Sequence, residues 1–214
     1  MGLAHSPSVI SDGLVFYLDA ANRRGYSGSG LTVNGLIGGI DGTLINGVGF
    51  TSTYGGSFTF DGTNDQILLN SVILSGSQDF TISAWIESTG ATGTIFANYS
   101  AGNLQMLYSP SYVGFWLDNN SAYANSANFK AGAVNFTIQR SGGSNLFVYL
   151  NSVLIKTGSS TASIGNTTNF RLGASSFGGE LFQGKIYNIQ VFNRALSQQE
   201  ILQNYNATRK RFGL

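Results

Sequence analysis

The densest set of hard oxygen ligands in the chain is a run of five residues, Asp61-Gly62-Thr63-Asn64-Asp65. Two carboxylates and an amide around a glycine turn suit Ca²⁺, which takes about 6–8 oxygen ligands in forgiving geometry. The run lacks the distal Glu of an EF-hand loop. Asp61, Asn64 and Asp65 are therefore the candidate Ca²⁺ ligands, and no other cofactor is called for. The same residues also suit a plain turn whose Asp and Asn side chains bond their own backbone. A second group, Tyr112, Trp116, Asn119, Asn120 and Tyr123, gathers aromatic rings and amides around one strand and the loop after it. Glycan binding needs such a set: an apolar ring as a platform and amides around it to meet hydroxyl groups. Trp116 falls out of phase with Val113, Phe115 and Leu117. It stands on an open sheet face, or on a covered one if both faces of that strand are buried.

Hydrolytic chemistry has less to work with. A glycosidase needs two carboxyl groups about 5–9 Å apart around the scissile bond. The glutamates are Glu87, Glu180 and Glu200, and none has an acidic neighbour at i+2 or i+4. The one histidine, His5, precludes a multi-histidine metal site and stands in an irregular N-terminus, which argues against a Ser-His-Asp triad. With no cysteine there is no disulfide, thiolate site or cysteine nucleophile. The glycine-rich stretch 25–42 contains no phosphate-loop signature. The chain is expected not to be an enzyme.

Composition points the same way. In 214 residues only 10% are charged and the formal net charge is +1. That balance gives no electrostatic reason to expect nucleic acid or an anionic membrane as partner. The only basic cluster is Arg209-Lys210-Arg211 near the end. It is a candidate attachment patch for an acidic particle surface, or simply favourable charge behind a helix C-terminus. Hydrophobic residues make up 42% and aromatic residues 13%, enough for a folded core. No apolar run approaches the length of a membrane-spanning helix. The N-terminus lacks the charged-then-apolar order of a secretory signal, so synthesis in the cytosol is expected, which leaves the place of action open.

The elements that must position these residues are strands. Alternation places Leu14, Phe16 and Leu18 on one face, then Phe80, Ile82, Ala84 and Ile86, with Trp85 on the opposite face but read as core. It recurs at Leu104/Met106/Tyr108, Val113/Phe115/Leu117, Val134/Phe136/Ile138, Leu146/Val148/Leu150, Phe170/Leu172 and Tyr187/Ile189/Val191. Many short, one-sidedly buried strands predict an all-β antiparallel sandwich. Asn151-Ser152 between two such runs reads as a tight hairpin turn, and Asn-Gly would be its stronger form. Short edge strands are expected at 31–33 and 43–45 within an otherwise loop-like, glycine-dense stretch. Ser197 and Glu200 form a capping box, with Leu196 placed to staple against Ile201, which predicts one short helix ending near Asn206. This gives an arm at 1–12, one domain at 13–206 and a basic tail at 207–214.

Four segments, GLVFYLDAAN at 13–22, GSFTFDGTNDQI at 56–67, FTISAWI at 80–86 and the closing GKIYNIQVFNRALSQQEILQNYNATRKRFGL at 184–214, resemble the laminin-G-like, concanavalin A-like jelly-roll family. The closing strand, "NRALS", capped helix and "RFG" are similar to versions found in structural proteins of tailed bacteriophages, as is the start AHSPSVISDGLVFYLDAAN. The resemblance implies a concanavalin A-like jelly roll of two antiparallel sheets with six or seven strands each and ligand loops at one rim. It also implies that an Asp near position 61 helps hold calcium together with a later acidic residue, whose place is taken here by Asn188. LTVNGLIGGIDGTLING at 31–47 departs from the family's usual Trp-containing polar loop.

Two functional expectations follow. One is a non-enzymatic accessory that decorates the capsid or tail of a phage particle, with phage capsid or tail proteins as partners and weak adhesion to surface glycans. The other is a receptor-recognition lectin of a tail fibre or baseplate that binds host surface polysaccharide. In both, the site of action is the virion. With few charges available to blunt edge strands, a homo-oligomer or edge contacts with a partner are expected.

Overall fold

The computed structural model describes residues 7–89, 92–98, 104–109, 112–117, 120–125, 132–165, 170–175 and 180–214. The alternating segments become strands β1 Leu14–Asp19, β2 Thr32–Asn34, β3 Asp41–Ile45, β4 Gly49–Thr51, β5 Ser57–Asp61 and β6 Gln66–Leu69. They continue as β7 Phe80–Ser88, β8 Gly93–Ala97, β9 Leu104–Tyr108, β10 Tyr112–Leu117 and β11 Asn120–Asn125. The last are β12 Val134–Ser141, β13 Asn145–Leu150, β14 Val153–Ser159, β15 Arg171–Leu172 and β16 Gln183–Phe192. Helix α1, Gln198–Thr208, and a 3₁₀ turn, Arg209–Phe212, close the chain.

Two antiparallel sheets form, each of eight strands where six or seven were expected. The first runs β14-β13-β12-β7-β16-β5-β4, with β1 also pairing along β16. The second runs β11-β10-β9-β8-β15-β6-β3-β2. Hairpin neighbours at the sheet edges alternate with central pairs distant in sequence, such as β7-β16, β16-β5, β8-β15 and β15-β6, as in a jelly roll. The core lies between the sheets, where inward residues such as Phe16, Ile82, Phe96, Met106, Phe115, Phe136, Val148 and Leu172 are buried together. Arg140 ends the inward row of β12 with 0% exposure, and its guanidinium donates to the carbonyls of Gly76, Gln78 and Ala162. That charge caps one end of the core by satisfying loop carbonyls that would otherwise be buried without donors.

Two bulges change which face a side chain takes. The β1–β16 register shifts between Leu14 and Phe16, so Leu14 packs in an outer cluster with Phe192, Leu196 and Ile201 and not beside Phe16. The β16–β7 register shifts between Ile186 and Asn188, which turns Tyr187 outward to join Trp85 and Phe212, away from Ile189 and Val191. An inserted residue leaves its side chain one step out of the two-residue period.

The outer face of the first sheet is covered by the chain's closing segment. Ser197 and Glu200 form the expected capping box, and α1 runs to Thr208, two residues past the expected end. The hydroxyl of Thr81 on β7 donates to the carbonyl of Arg194 and accepts from the amide of Leu196, tying the approach to the helix onto the sheet. The expected basic tail is part of the domain: Phe212 is buried, and Arg211 forms an ion pair with Asp19 at 2.8 Å while donating to the carbonyls of Tyr54 and Gly56. The N-terminal arm is also docked where it is described, with the amide of Ile10 donating to Asn204 Oδ1 and Asp12 pairing with Arg194. The unit therefore extends past both boundaries expected from the sequence.

Candidate functional site

Among the described residues no helix lies on the outer side of the second sheet, and its backbone register carries one cross-strand row through all eight strands. Ser121, Trp116, Gln105, Ala97, Arg171, Leu68, Thr43 and Thr32 are successive cross-strand partners in that order. Trp116 keeps 39% of its surface exposed. Among the described residues it is the most exposed aromatic side chain of this sheet. Tyr112 lies two steps on in the same phase and is half-buried, and Gly114 between them carries no side chain. The backbone register pairs Gly114 with Tyr123, Tyr112 with Asn125 and Leu117 with Asn120. This brings Tyr112, Trp116, Asn120 and Tyr123 onto one two-strand ribbon; Asn119 lies outside the described residues.

On the side of β9 away from the indole, polar side chains bond one another. Gln105 faces Trp116 directly across the ladder and is only 6% exposed. Its amide donates to Thr94 Oγ1 at 2.5 Å and to Glu180 Oε2. The carbonyl of Glu180 accepts from the Thr94 amide at 2.7 Å. Further along the row, Arg171 Nη1 donates to Gln66 Oε1 at 3.0 Å. Sequence reading did not select Gln105, Thr94 or Arg171, and it considered Glu180 only as an unpaired carboxylate. They come from β9, β8, β15 and the connection into β16, so only strand order brings them together.

Trp85, the other tryptophan, is a structural residue. It is 1% exposed on the outer face of the first sheet, stacked on Phe212 and Tyr205, with Nε1 donating to Thr208 Oγ1 at 2.8 Å.

The Asp61–Asp65 segment forms the turn between β5 and β6. Asp61 Oδ1 accepts from the Thr63 amide and Asp65 Oδ2 accepts from the Asp61 amide, as a self-bonded turn requires. The carbonyl of Asn64 accepts from Asn46 Nδ2. One atom is left over: Asp65 Oδ1 is buried with no hydrogen-bond partner, in a residue 4% exposed. It borders a cleft of about 230 Å³ lined by Asn46, Gly47, Gly49, Thr59, Phe60, Asp61 and Asp65. Burial pushes the Asp65 carboxyl up from its ordinary range, the Asp61 amide opposes this, and the Asp61 charge adds to it. Asn188 is not part of this site. It sits opposite Asp19 and Trp85, whereas Asp61 faces Gln183 at the other end of β16. Among the described residues no three of His, Cys, Asp and Glu come together. An ion here would depend on Asp61, Asp65 and the neutral oxygens of Asn46, Gly47 and Thr59.

Of the basic cluster, Arg211 is bound into the domain, Arg209 lies over the ring of Tyr205 at 5.8 Å, and Lys210 is exposed. The expected attachment patch is therefore reduced to one free-standing cation and a ring-stacked one.

Residues 61–202, about two thirds of the chain, match the family described as the concanavalin A-like lectin/glucanases superfamily, laminin G type 3. The chain belongs to that family. No curated protein sequence matches it. Among solved structures it resembles the binding domain of botulinum neurotoxin serotype G, with TM-score 0.73 and 14% identity over 90% of this chain and 50% of that one. The receptor-binding domain of botulinum neurotoxin D is similar at TM-score 0.71 and 14% identity, over 91% of this chain and 52% of that chain. This chain spans about half the length of those neurotoxin domains. Domain 4 of AbnA, a GH43 extracellular arabinanase from Geobacillus stearothermophilus solved with arabinotriose, matches at TM-score 0.67 and 15% identity, over 90% of this chain and 98% of that chain. At these identities the likeness is one of fold.

Proposed function

We propose that the chain is a non-enzymatic carbohydrate-binding module that acts as an accessory on the exterior of a tailed-phage particle. The observation that carries the binding role is Trp116, an exposed indole on the second sheet, on a strand that also carries the half-buried Tyr112. A ring of this kind stacks on the apolar face of a sugar while neighbouring side chains bond its hydroxyls. The arabinanase domain, similar over nearly its whole length, is described in complex with an arabinose oligosaccharide, which supports a sugar as the ligand. The particle setting is supported by the phage-like wording of the first and last segments. Several copies side by side on a particle, as a homo-oligomer or joined through sheet edges, would turn weak single contacts into useful avidity. Ca²⁺ at Asp61 and Asp65 is proposed as a structural ligand, carried by the orphaned carboxylate oxygen of Asp65.

The test is binding of the purified chain to an array of oligosaccharides, repeated with Trp116→Ala. Saturable binding lost in the variant supports the module; no binding, or binding indifferent to Trp116, sinks it. Gold-labelled antibody on purified particles tests the setting. Label on head or tail supports a decoration, label confined to a fibre tip or baseplate supports the receptor lectin, and absence of label removes the particle role.

A further inference from the structure

Two asparagines of the chain precede a glycine, Asn34 and Asn46, and their surroundings differ. Asparagine is a chemically labile residue, and its amide is most open to the next backbone nitrogen where that residue is glycine, with no side chain to block the approach. Asn34 ends β2, and the backbone nitrogens around it are engaged. Its own amide donates to the Gly25 carbonyl and the Gly35 amide to the Ile40 carbonyl, each at 2.8 Å. The Ile40 carbonyl also stands 2.4 Å from where a Cβ on Gly35 would lie, so this pair is closely packed. Asn46 and Gly47 instead form the turn from β3 in the second sheet to β4 in the first, with φ 65 and 109 and both residues exposed. Among the described residues the Gly47 amide has no hydrogen-bond partner. The nitrogen able to attack is therefore free and open to water at Asn46, and held at Asn34.

The same turn walls the acidic cleft. Asn46 and Gly47 line it together with Asp61 and Asp65, and Asn46 Nδ2 donates to the Asn64 carbonyl at 3.0 Å. The orphaned Oδ1 of Asp65 stands 3.5 Å from where a Cβ on Gly47 would lie. Among the described residues the lining holds two carboxylates and no third acidic group. We propose that Asn46 is a site of spontaneous deamidation and that the conversion completes this cleft as a cation site with a third carboxylate. The Gly47 nitrogen gives up its proton and bonds to Asn46 Cγ, while the Cγ–Nδ2 bond breaks and ammonia leaves with that proton. Water then opens the cyclic imide at either carbonyl, its hydroxyl going to the carbon and its remaining proton to the nitrogen. The product is aspartate or isoaspartate, and water is the only co-reactant. An ionised carboxylate only accepts, so the bond to the Asn64 carbonyl is lost and a negative charge joins Asp61 and Asp65. Without an ion that charge is unfavourable beside its like neighbours. With Ca²⁺, whose affinity is set by the charge count of its ligands, it becomes a gain. The ion-binding half of the proposal rests on the Ca²⁺ reading; the deamidation itself does not.

The experiment incubates the purified whole chain in neutral buffer and follows both asparagines by peptide mass spectrometry, which reads the mass gained when an amide becomes an acid. Asn46 is expected to convert while Asn34 stays an amide. In parallel, Ca²⁺ is titrated by calorimetry into the freshly purified chain and into Asn46→Asp. The variant is expected to bind about tenfold more tightly, through one added charged ligand. In chelator it is expected to melt below the unaltered chain, because the bond to Asn64 is gone and like charges meet. An Asn46 that persists as the amide, or converts no faster than Asn34, overturns the proposal and leaves the Ca²⁺ reading in place. Conversion of Asn46 with no tighter binding by Asn46→Asp overturns the completion of a cation site. No Ca²⁺ binding by either form overturns the Ca²⁺ reading and that completion with it.

Discussion

The indole of Trp85, in the middle of β7, lies flat against the ring of Phe212, two residues from the end of the chain, with centroids 4.1 Å apart and planes within 18°. Tyr187 meets the same phenyl ring edge-on at 5.0 Å, and its hydroxyl donates to Glu87 Oε2 at 2.7 Å. Burial, and then the Glu87 carboxylate, hold the Tyr187 phenol far above its ordinary range, so this contact stays a neutral donor throughout the accessible pH range. Phe212 thus plugs an aromatic pocket on the outer face of the first sheet. Phe212→Ala is expected to cost about 3 kcal/mol, the low end for a buried phenylalanine, since the pocket lies near the surface. Thermal unfolding checks it. A melting temperature unchanged by this substitution would mean that the closing turn is not part of the cooperative unit.

The two tryptophans should separate cleanly. Trp85→Ala removes a side chain that is buried, stacked and hydrogen-bonded, and about 3–5 kcal/mol is expected to go with it. Trp116→Ala removes a half-open ring, at a cost expected to be below about 1 kcal/mol. Paired melts and binding titrations of the two variants check both. A large loss of stability in Trp116→Ala would make that residue part of the core and not a platform.

How much of this was legible in the sequence depended on period and on distance along the chain. The inward rows of β7, β9, β10, β12 and β13 followed from strict alternation, and the capping box of Ser197 and Glu200 followed from local spacing. Leu14 and Tyr187 were assigned to the wrong faces because a bulge leaves no mark in the residue pattern. Trp116 was identified by its phase, but Gln105 and Glu180 were not: neither is distinctive alone, and they meet only through strand order. Arg211 looked like part of a solvated tail because its partner Asp19 lies at the other end of the chain.

Glu200 links helix cap and arm. Its carboxylate forms two bonds to the guanidinium of Arg194 and one to the amide of Ser197, and Arg194 also reaches Asp12. The Arg194 bonds, working against partial burial, pull the Glu200 carboxyl down to about 2 from an ordinary 4.5. A carboxyl lowered in the folded state stabilises above its unfolded value and loses that contribution as pH falls through the folded one. Stability should therefore decline between about pH 4.5 and 2. Solvent screening leaves the effect at roughly 1–2 kcal/mol. Glu200→Gln should flatten that part of the pH–stability curve, measured by denaturant titration; an unchanged slope would place the acid sensitivity elsewhere.

The orphaned oxygen of Asp65 gives a prediction with an internal control. If Ca²⁺ occupies the cleft, saturating ion raises the melting temperature, with about 2.7 kcal/mol gained at a hundredfold excess over Kd. Asp65→Asn should abolish that rise. Without Ca²⁺ the variant should unfold no earlier than the native protein, because it replaces a buried carboxylate that lacks a partner on one oxygen. Calorimetric scans with Ca²⁺ and with chelator check both halves. A native protein indifferent to Ca²⁺ would leave Asp61–Asp65 as a turn and nothing more.

The hairpin between β13 and β14 tests the local reading most directly. Asn151 and Ser152 both take positive φ, 47 and 66, the pair of values a two-residue turn of this hand requires. Asparagine tolerates that region and serine does so at a cost, while the Asn151 side chain also accepts the amide of Asn135 across the sheet. Ser152→Gly should therefore raise stability by about 0.5 kcal/mol, despite the larger entropy glycine brings to the unfolded chain. Asn151→Ala should lower it by about 1–2 kcal/mol, through both the strained φ and the unpaired amide of Asn135. Equilibrium unfolding of the two variants decides the matter. A destabilising Ser152→Gly would mean that the hydroxyl's bond to the Asn151 carbonyl outweighs the relief of backbone strain.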